Sequence, residues 1–131
     1  FCPAKIKPWL PVNPNYAQGI NVADQDKDPA SLLNFHRQMT ALRRSVPALV
    51  EGEQIPVKPR SRDTLAFIRK TKKQTVLVLL HLKNTTRKYP WKAALNGQYD
   101  QGKLLYSYSG QELNKATLTL KPYDIAIIEL T

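Results

Sequence analysis

Hydrophobic positions along the chain change period once, near residue 50. Leu32, Phe35, Met39, Leu42 and Val46 recur at spacings of three and four, with Leu33 widening the stripe, which predicts an amphipathic helix. Asp28 is expected as its N-cap, Pro29 as its first residue and Pro47 as its stop. Arg43 and Arg44 complement the negative end of the helix dipole. Such a stripe must be covered, either by the following domain or by chain that is not in this sequence.

Beyond Pro56 and Pro59 the pattern becomes short runs rich in β-branched and aromatic residues. Strands are predicted at about 64–70, 75–82, 87–94, 104–108, 116–120 and 125–130. The turn signals are Lys72-Lys73, Lys83-Asn84, Asn96-Gly97, Ser109-Gly110 and Pro122. Short links between sequential strands imply an antiparallel sheet closed as a sandwich or barrel. The unbroken run Val76–Leu80, and the run from Ile125 to Ile128, read as strands covered on both faces. Residues 1–27 read as an irregular loop, because Pro3, Pro8, Pro11 and Pro14 each remove a backbone donor and fix φ. The fold class expected is therefore mainly β: an antiparallel β-sandwich preceded by a Pro-rich loop and one amphipathic helix, with a boundary between 1–47 and 48–131.

The length of 131 residues suits one domain with its own core but not two independent domains. No apolar run approaches the ~20 residues needed to cross a bilayer. No basic region followed by an apolar stretch opens the chain, so a cytoplasmic location and no membrane partner are expected. The lone cysteine, Cys2, excludes an intrachain disulfide and any multi-cysteine zinc site. Charge is unevenly placed. Residues 1–53 hold six basic and five acidic side chains, whereas residues 54–131 hold fourteen and five.

Candidate chemistry is sparse. Five scattered glycines form no phosphate loop. The two histidines, His36 on the helix and His81 in the apolar run, read as packing or partner-contact residues before catalytic bases. Asp24, Asp26 and Asp28 could in principle supply a glycosidase pair, yet their position before a helix favours capping and solvation. The basic run Lys58, Arg60, Arg62, Arg69, Lys70, Lys72 and Lys73, with Tyr89, Trp91, Tyr99, Tyr106 and Tyr108 as stacking platforms, leaves open a single-strand nucleic-acid binder. The same charges are read first as a solvated hairpin turn, so a nucleic-acid partner is not expected. Trp91 and Tyr99 are candidate surface contacts for carbohydrate if their rings are exposed and coplanar. Asn84-Thr85-Thr86 fits the N-glycosylation pattern, which matters only in a secreted protein.

One stretch is specific. Pro8-Trp9-Leu10-Pro11-Val12-Asn13-Pro14-Asn15-Tyr16, followed by Ile20-Asn21-Val22, resembles a segment of α-glucosidases of the α-amylase superfamily (glycoside hydrolase family 13), including oligo-1,6-glucosidases. The resemblance continues through Asp28–Arg37, Ala41–Arg44, Pro47–Leu49 and Gly52, and Leu120-Lys121-Pro122-Tyr123 is similar to the family's closing pattern. It implies that the first part ends a (β/α)8 barrel and that the rest is the C-terminal β-domain of Greek-key type. The helix stripe would then face the barrel, which is the partner implied. The parent would be a retaining α-glucosidase acting on an α-glucoside substrate. Its catalytic carboxylates are expected upstream, so no catalytic residue, cofactor or metal site is expected in this chain. Relatives that lost catalysis, such as the heavy subunits of amino-acid transporters, remain compatible with these residues. Trp9, Asn13 and Asn15 fall in the loop after the last barrel strand, as candidates for the substrate rim or as loop anchors.

Overall fold

The computed structural model describes residues 5–58 and 62–131. Cys2, Pro3, Pro59 and Arg60, named above, lie outside the described residues. The chain divides into two compact units, Phe1–Ser45 and Val46–Thr131.

The first unit holds a 3-10 helix at Pro14–Gln18 and the helices α1 (Val22–Gln25) and α2 (Leu32–Ser45). The expected helix starts three residues later than predicted. Asp28 is not its cap. Its carboxylate accepts from the N–H of Ala30 in the preceding turn, while the Ser31 hydroxyl accepts from Asn34 N–H at 3.2 Å and so closes the helix start. Sequence signals favoured Asp28-Pro29, but Asn34 decides the geometry by holding the whole turn. Its side-chain amide donates to the carbonyls of Gln25 at 2.9 Å and Asp28 at 2.8 Å. At the other end Val46 is extended, at φ −116° and ψ 96°, because the residue before a proline avoids helix. Pro47 both stops α2 and opens a short α3 (Pro47–Glu51).

The second unit is the expected antiparallel sandwich. One sheet has the order β1-β2-β3-β7-β5, with strands Glu53–Pro56, Thr64–Lys70, Thr75–His81, Ile125–Leu130 and Gly102–Ser107. The other pairs β4 (Arg87–Tyr89) with β6 (Leu118–Leu120). The chain crosses between the layers at every connection from β3 to β7. Ala66, Ile68, Leu77, Leu79, Ala126, Ile128 and Leu130 meet Tyr89, Trp91, Leu95, Leu118 and Leu120 in one core.

One predicted strand is corrected and one strand was not expected. Strand 87–94 ends at Tyr89, since Pro90 cannot donate to a ladder, and the helix-favouring Lys92-Ala93-Ala94 turn into α4 (Trp91–Ala94). β1 was not predicted. Four residues with only Ile55 turned inward carry little periodic signal, and Pro56 marks β1 as the edge strand it is. The predicted turns hold: Asn96 and Gly97 both have positive φ, at 54° and 68°, as does Gly110 at 67°.

Candidate functional site

The Pro-rich loop builds a concave surface within the first unit. Asn13 caps the 3-10 helix, its side chain accepting from Asn15 N–H at 3.2 Å, and Gly19 at φ 87° ends it. Asn21 then caps α1 by accepting from Asp24 N–H at 2.9 Å, and its amide donates to the carbonyl of Tyr16 at 2.7 Å. The result is an open, mostly apolar hollow of about 930 Å³, lined among others by Trp9, Leu10, Asn15, Tyr16, Ile20 and Leu33. Trp9 is 93% exposed, and Leu10, Ile20, Val22 and Leu32 are all more than half exposed. Trp9, Asn13 and Asn15 therefore share one surface, with Asn13 already engaged as a cap. No residue of α2 is buried, so its stripe has no full cover among the described residues.

The acidic trio is occupied structurally. Asp24 accepts from the amide of Asn21, Asp26 forms an ion pair with Arg37, and Asp28 serves the turn before α2. Among the described residues no group of three or more His, Cys, Asp or Glu comes together as a metal site.

The proposed aromatic platform of the second unit is corrected. Trp91 is 1% exposed, with its indole N–H donating to the carbonyl of Asn114 at 3.1 Å, and Tyr99 is half-buried against the core. Tyr89 is buried as well. Trp91 and Tyr89 fill the space between the two sheets and offer no stacking surface, whereas Tyr108 of the same predicted platform is 61% exposed. The basic run is likewise partly engaged. Arg69 donates to the carbonyls of Ala48 and Val50, whereas Lys72 and Lys73 sit in the exposed turn between β2 and β3.

His81 is buried, its Nε2 2.7 Å from the carbonyl of Thr85 and its Nδ1 3.3 Å from the hydroxyl of Thr64, a satisfied core histidine. Asp124 is the residue that sequence reasoning missed. It is 2% exposed, and its carboxylate accepts from the backbone N–H groups of Ser109, Lys121 and Ile125 and from the Ser109 hydroxyl. Burial, with Tyr108 and Asp124 nearby, raises the Tyr106 phenol above its ordinary value of 10.0.

Comparison with known proteins matches the chain to two family models in succession. A model described as the α-amylase catalytic domain matches residues 1–52, and one described as the α-amylase SusG C-terminal domain matches residues 64–127. The probable oligo-1,6-glucosidase 2 of Bacillus subtilis is 27% identical over 117 residues, 89% of this chain and 20% of that protein. The oligo-1,6-glucosidase of Halalkalibacterium halodurans is 30% identical over 92% of this chain and 21% of its own length. The crystal structure of isomaltulose synthase from Erwinia rhapontici NX5 superposes with a TM-score of 0.78 at 31% identity, covering 95% of this chain and 22% of that one. The chain belongs to the α-amylase superfamily, glycoside hydrolase family 13, and corresponds to the end of its catalytic domain and its C-terminal β-sandwich. It spans about a fifth of the length of the curated relatives it matches.

Proposed function

We propose that this chain is the non-catalytic C-terminal portion of a retaining α-glucosidase, with the boundary between barrel and β-domain near residue 47. Its role there is to complete and stabilise the catalytic (β/α)8 barrel. The observation that carries this reading is the exposed apolar surface of Trp9, Leu10, Ile20, Val22 and Leu32 within the segment matched to a catalytic domain. An apolar surface of that kind is stable when covered by further protein, here the remainder of the barrel.

In the parent, hydrolysis with retention uses a carboxylate nucleophile and a carboxylic acid about 5–5.5 Å apart. Both would come from barrel strands preceding this chain. The chain itself contributes a loop at the active-site end of the barrel, where Trp9 and Asn15 form part of the pocket rim and Asn13 holds the loop's shape.

The test is hydrolysis of p-nitrophenyl α-glucoside by the full-length protein and by the 131-residue chain. Activity confined to the full-length protein, with α-glucose released first by NMR, is expected. Activity in the 131-residue chain would reopen the trio Asp24, Asp26 and Asp28 as catalytic groups.

A further inference from the structure

Asn96 alone among the asparagines of this chain is followed by glycine. The pair forms the C-terminal cap of α4. Leu95 ends the helix at φ −102°, and Asn96 and Gly97 then turn left-handed at φ 54° and 68°. Two backbone bonds close the turn, Asn96 N–H donating to the carbonyl of Ala93 at 3.2 Å and Gly97 N–H to the carbonyl of Lys92 at 3.0 Å. These are the paired bonds with which helices commonly end on a left-handed residue. Asparagine tolerates that conformation, and glycine adopts it at less cost.

The same two residues are a reactive pair. An asparagine side-chain amide is open to attack by the backbone nitrogen of the next residue, and a side chain on that residue hinders the approach. Gly97 has none, and a Cβ placed there would meet nothing within 4 Å among the described residues. Asn96 and Gly97 are both exposed, and Asn96 lines an open hollow of about 390 Å³ with Lys58 and Gln98, so water reaches the site. Against this, the attacking nitrogen carries a proton that the Lys92 carbonyl holds. The bond that closes the cap therefore also restrains the nucleophile, and reaction waits for the cap to open.

We propose that Asn96 is a site of spontaneous deamidation gated by the cap of α4. In the opened cap the Gly97 nitrogen bonds to Asn96 Cγ and the Cγ–Nδ2 bond breaks. Nδ2 leaves as ammonia, taking up the proton that the Gly97 nitrogen gives up, and a cyclic succinimide remains. Water then opens the ring. Cleavage between the nitrogen and Cγ yields aspartate. Cleavage between the nitrogen and the Asn96 carbonyl carbon yields isoaspartate, whose main chain runs through Cβ and Cγ and is longer by a carbon atom. The longer chain cannot restore both cap bonds while Leu95 and Trp91 stay buried in the core. Opening of α4 is reversible before the reaction and permanent after it.

The test is ageing of the full-length protein in mildly alkaline buffer, folded and in urea, followed by tryptic digestion. Cleavage after Lys92 and Lys103 isolates residues 93–103, in which Asn96 is the only asparagine. The mass shift of an amide becoming an acid measures conversion, and electron-transfer fragmentation identifies isoaspartate. Asn96 is expected to convert ahead of Asn84 and Asn114 in the folded protein, yet several-fold more slowly than in urea. A folded-state rate no faster than that of Asn84 or Asn114 would overturn the proposal, and equal rates with and without urea would remove the cap's control. Asn96→Gly keeps the left-handed conformation and removes the amide. The aged protein is expected to melt below the fresh one in step with its isoaspartate content, while the variant keeps its midpoint. An equal fall in both would overturn the claim that the lesion opens α4.

Discussion

Asp124 and Ser109 are joined by two hydrogen bonds, the Ser109 N–H to Oδ1 at 3.1 Å and its hydroxyl to Oδ2 at 2.5 Å. The same carboxylate receives Lys121 N–H at 3.0 Å and Ile125 N–H at 2.9 Å, while the Asp124 carbonyl accepts from His81 N–H at 2.8 Å. One buried side chain thus ties the loop after β5 to the loop that feeds β7, the strand between β3 and β5.

Removing that carboxylate leaves several donors around a buried position without their partners. Asp124→Ala is expected to lower unfolding free energy by about 3 kcal/mol, since each hydrogen bond to a charged group contributes ~1.5–3 kcal/mol and the set is not additive. Asp124→Asn keeps one acceptor oxygen and is expected to cost less. Urea unfolding of the two variants checks the order. A loss below ~0.5 kcal/mol for Asp124→Ala, the size of an ordinary surface change, would remove the residue from this role.

Gly52 links α3 to β1 where two backbones meet. A Cβ there would run into the carbonyl of Ala48 and stand 2.9 Å from the amide nitrogen of Lys70. Its φ of −62° suits any residue, so the demand for glycine is purely one of space. Gly52→Ala is expected to destabilise by ~1–3 kcal/mol. Thermal melting of the variant is the check, and an unchanged midpoint would mean that α3 moves away without cost.

Ser31, rather than Asp28, closes the N-terminus of α2. Ser31→Ala loses the bond from Asn34 N–H and the 2.6 Å bond to the carbonyl of Gln25, and is expected to cost about 1 kcal/mol. Asp28→Ala loses only the Ala30 contact and should cost less. Amide exchange at Leu33 to Phe35 reads the difference directly, and the opposite order would restore Asp28 as the cap.

Tyr106 gives an alkaline signature. Its folded phenol ionises above the ordinary value of 10.0, so as pH rises past 10.0 the unfolded chain releases its proton first. The unfolded state is then favoured, and the stabilisation present below pH 10.0 is lost as pH climbs through the folded value. Tyr106→Phe is expected to flatten the fall in stability above pH 10.0. Denaturant midpoints across that range test it, and parallel curves for the two proteins would exclude the effect.

Much of the fold was legible because its central strands are long apolar runs. Residues 75–82 and 125–130 read as strands from composition alone, and Asn96-Gly97 read as a turn from the one property that matters there, tolerance of positive φ. β1 and α4 were not legible, since their conformations follow from pairing with β2 and from Pro90, not from their own periodicity. The loop of Trp9, Asn13 and Asn15 was visible only through its resemblance to a family, and the sequence held no sign that Asn13 caps a 3-10 helix. Trp91 was misplaced because an aromatic residue reads the same in sequence whether it faces solvent or a second sheet.

The most direct measurement of the central claim is the melting temperature of the full-length protein beside a version ending after Pro47. Loss of the β-domain is predicted to lower the melting temperature, while hydrolysis of p-nitrophenyl α-glucoside by the molecules still folded at low temperature keeps its kcat. A truncated protein with an unchanged melting temperature would contradict the account, because the domain would then stabilise nothing in the barrel.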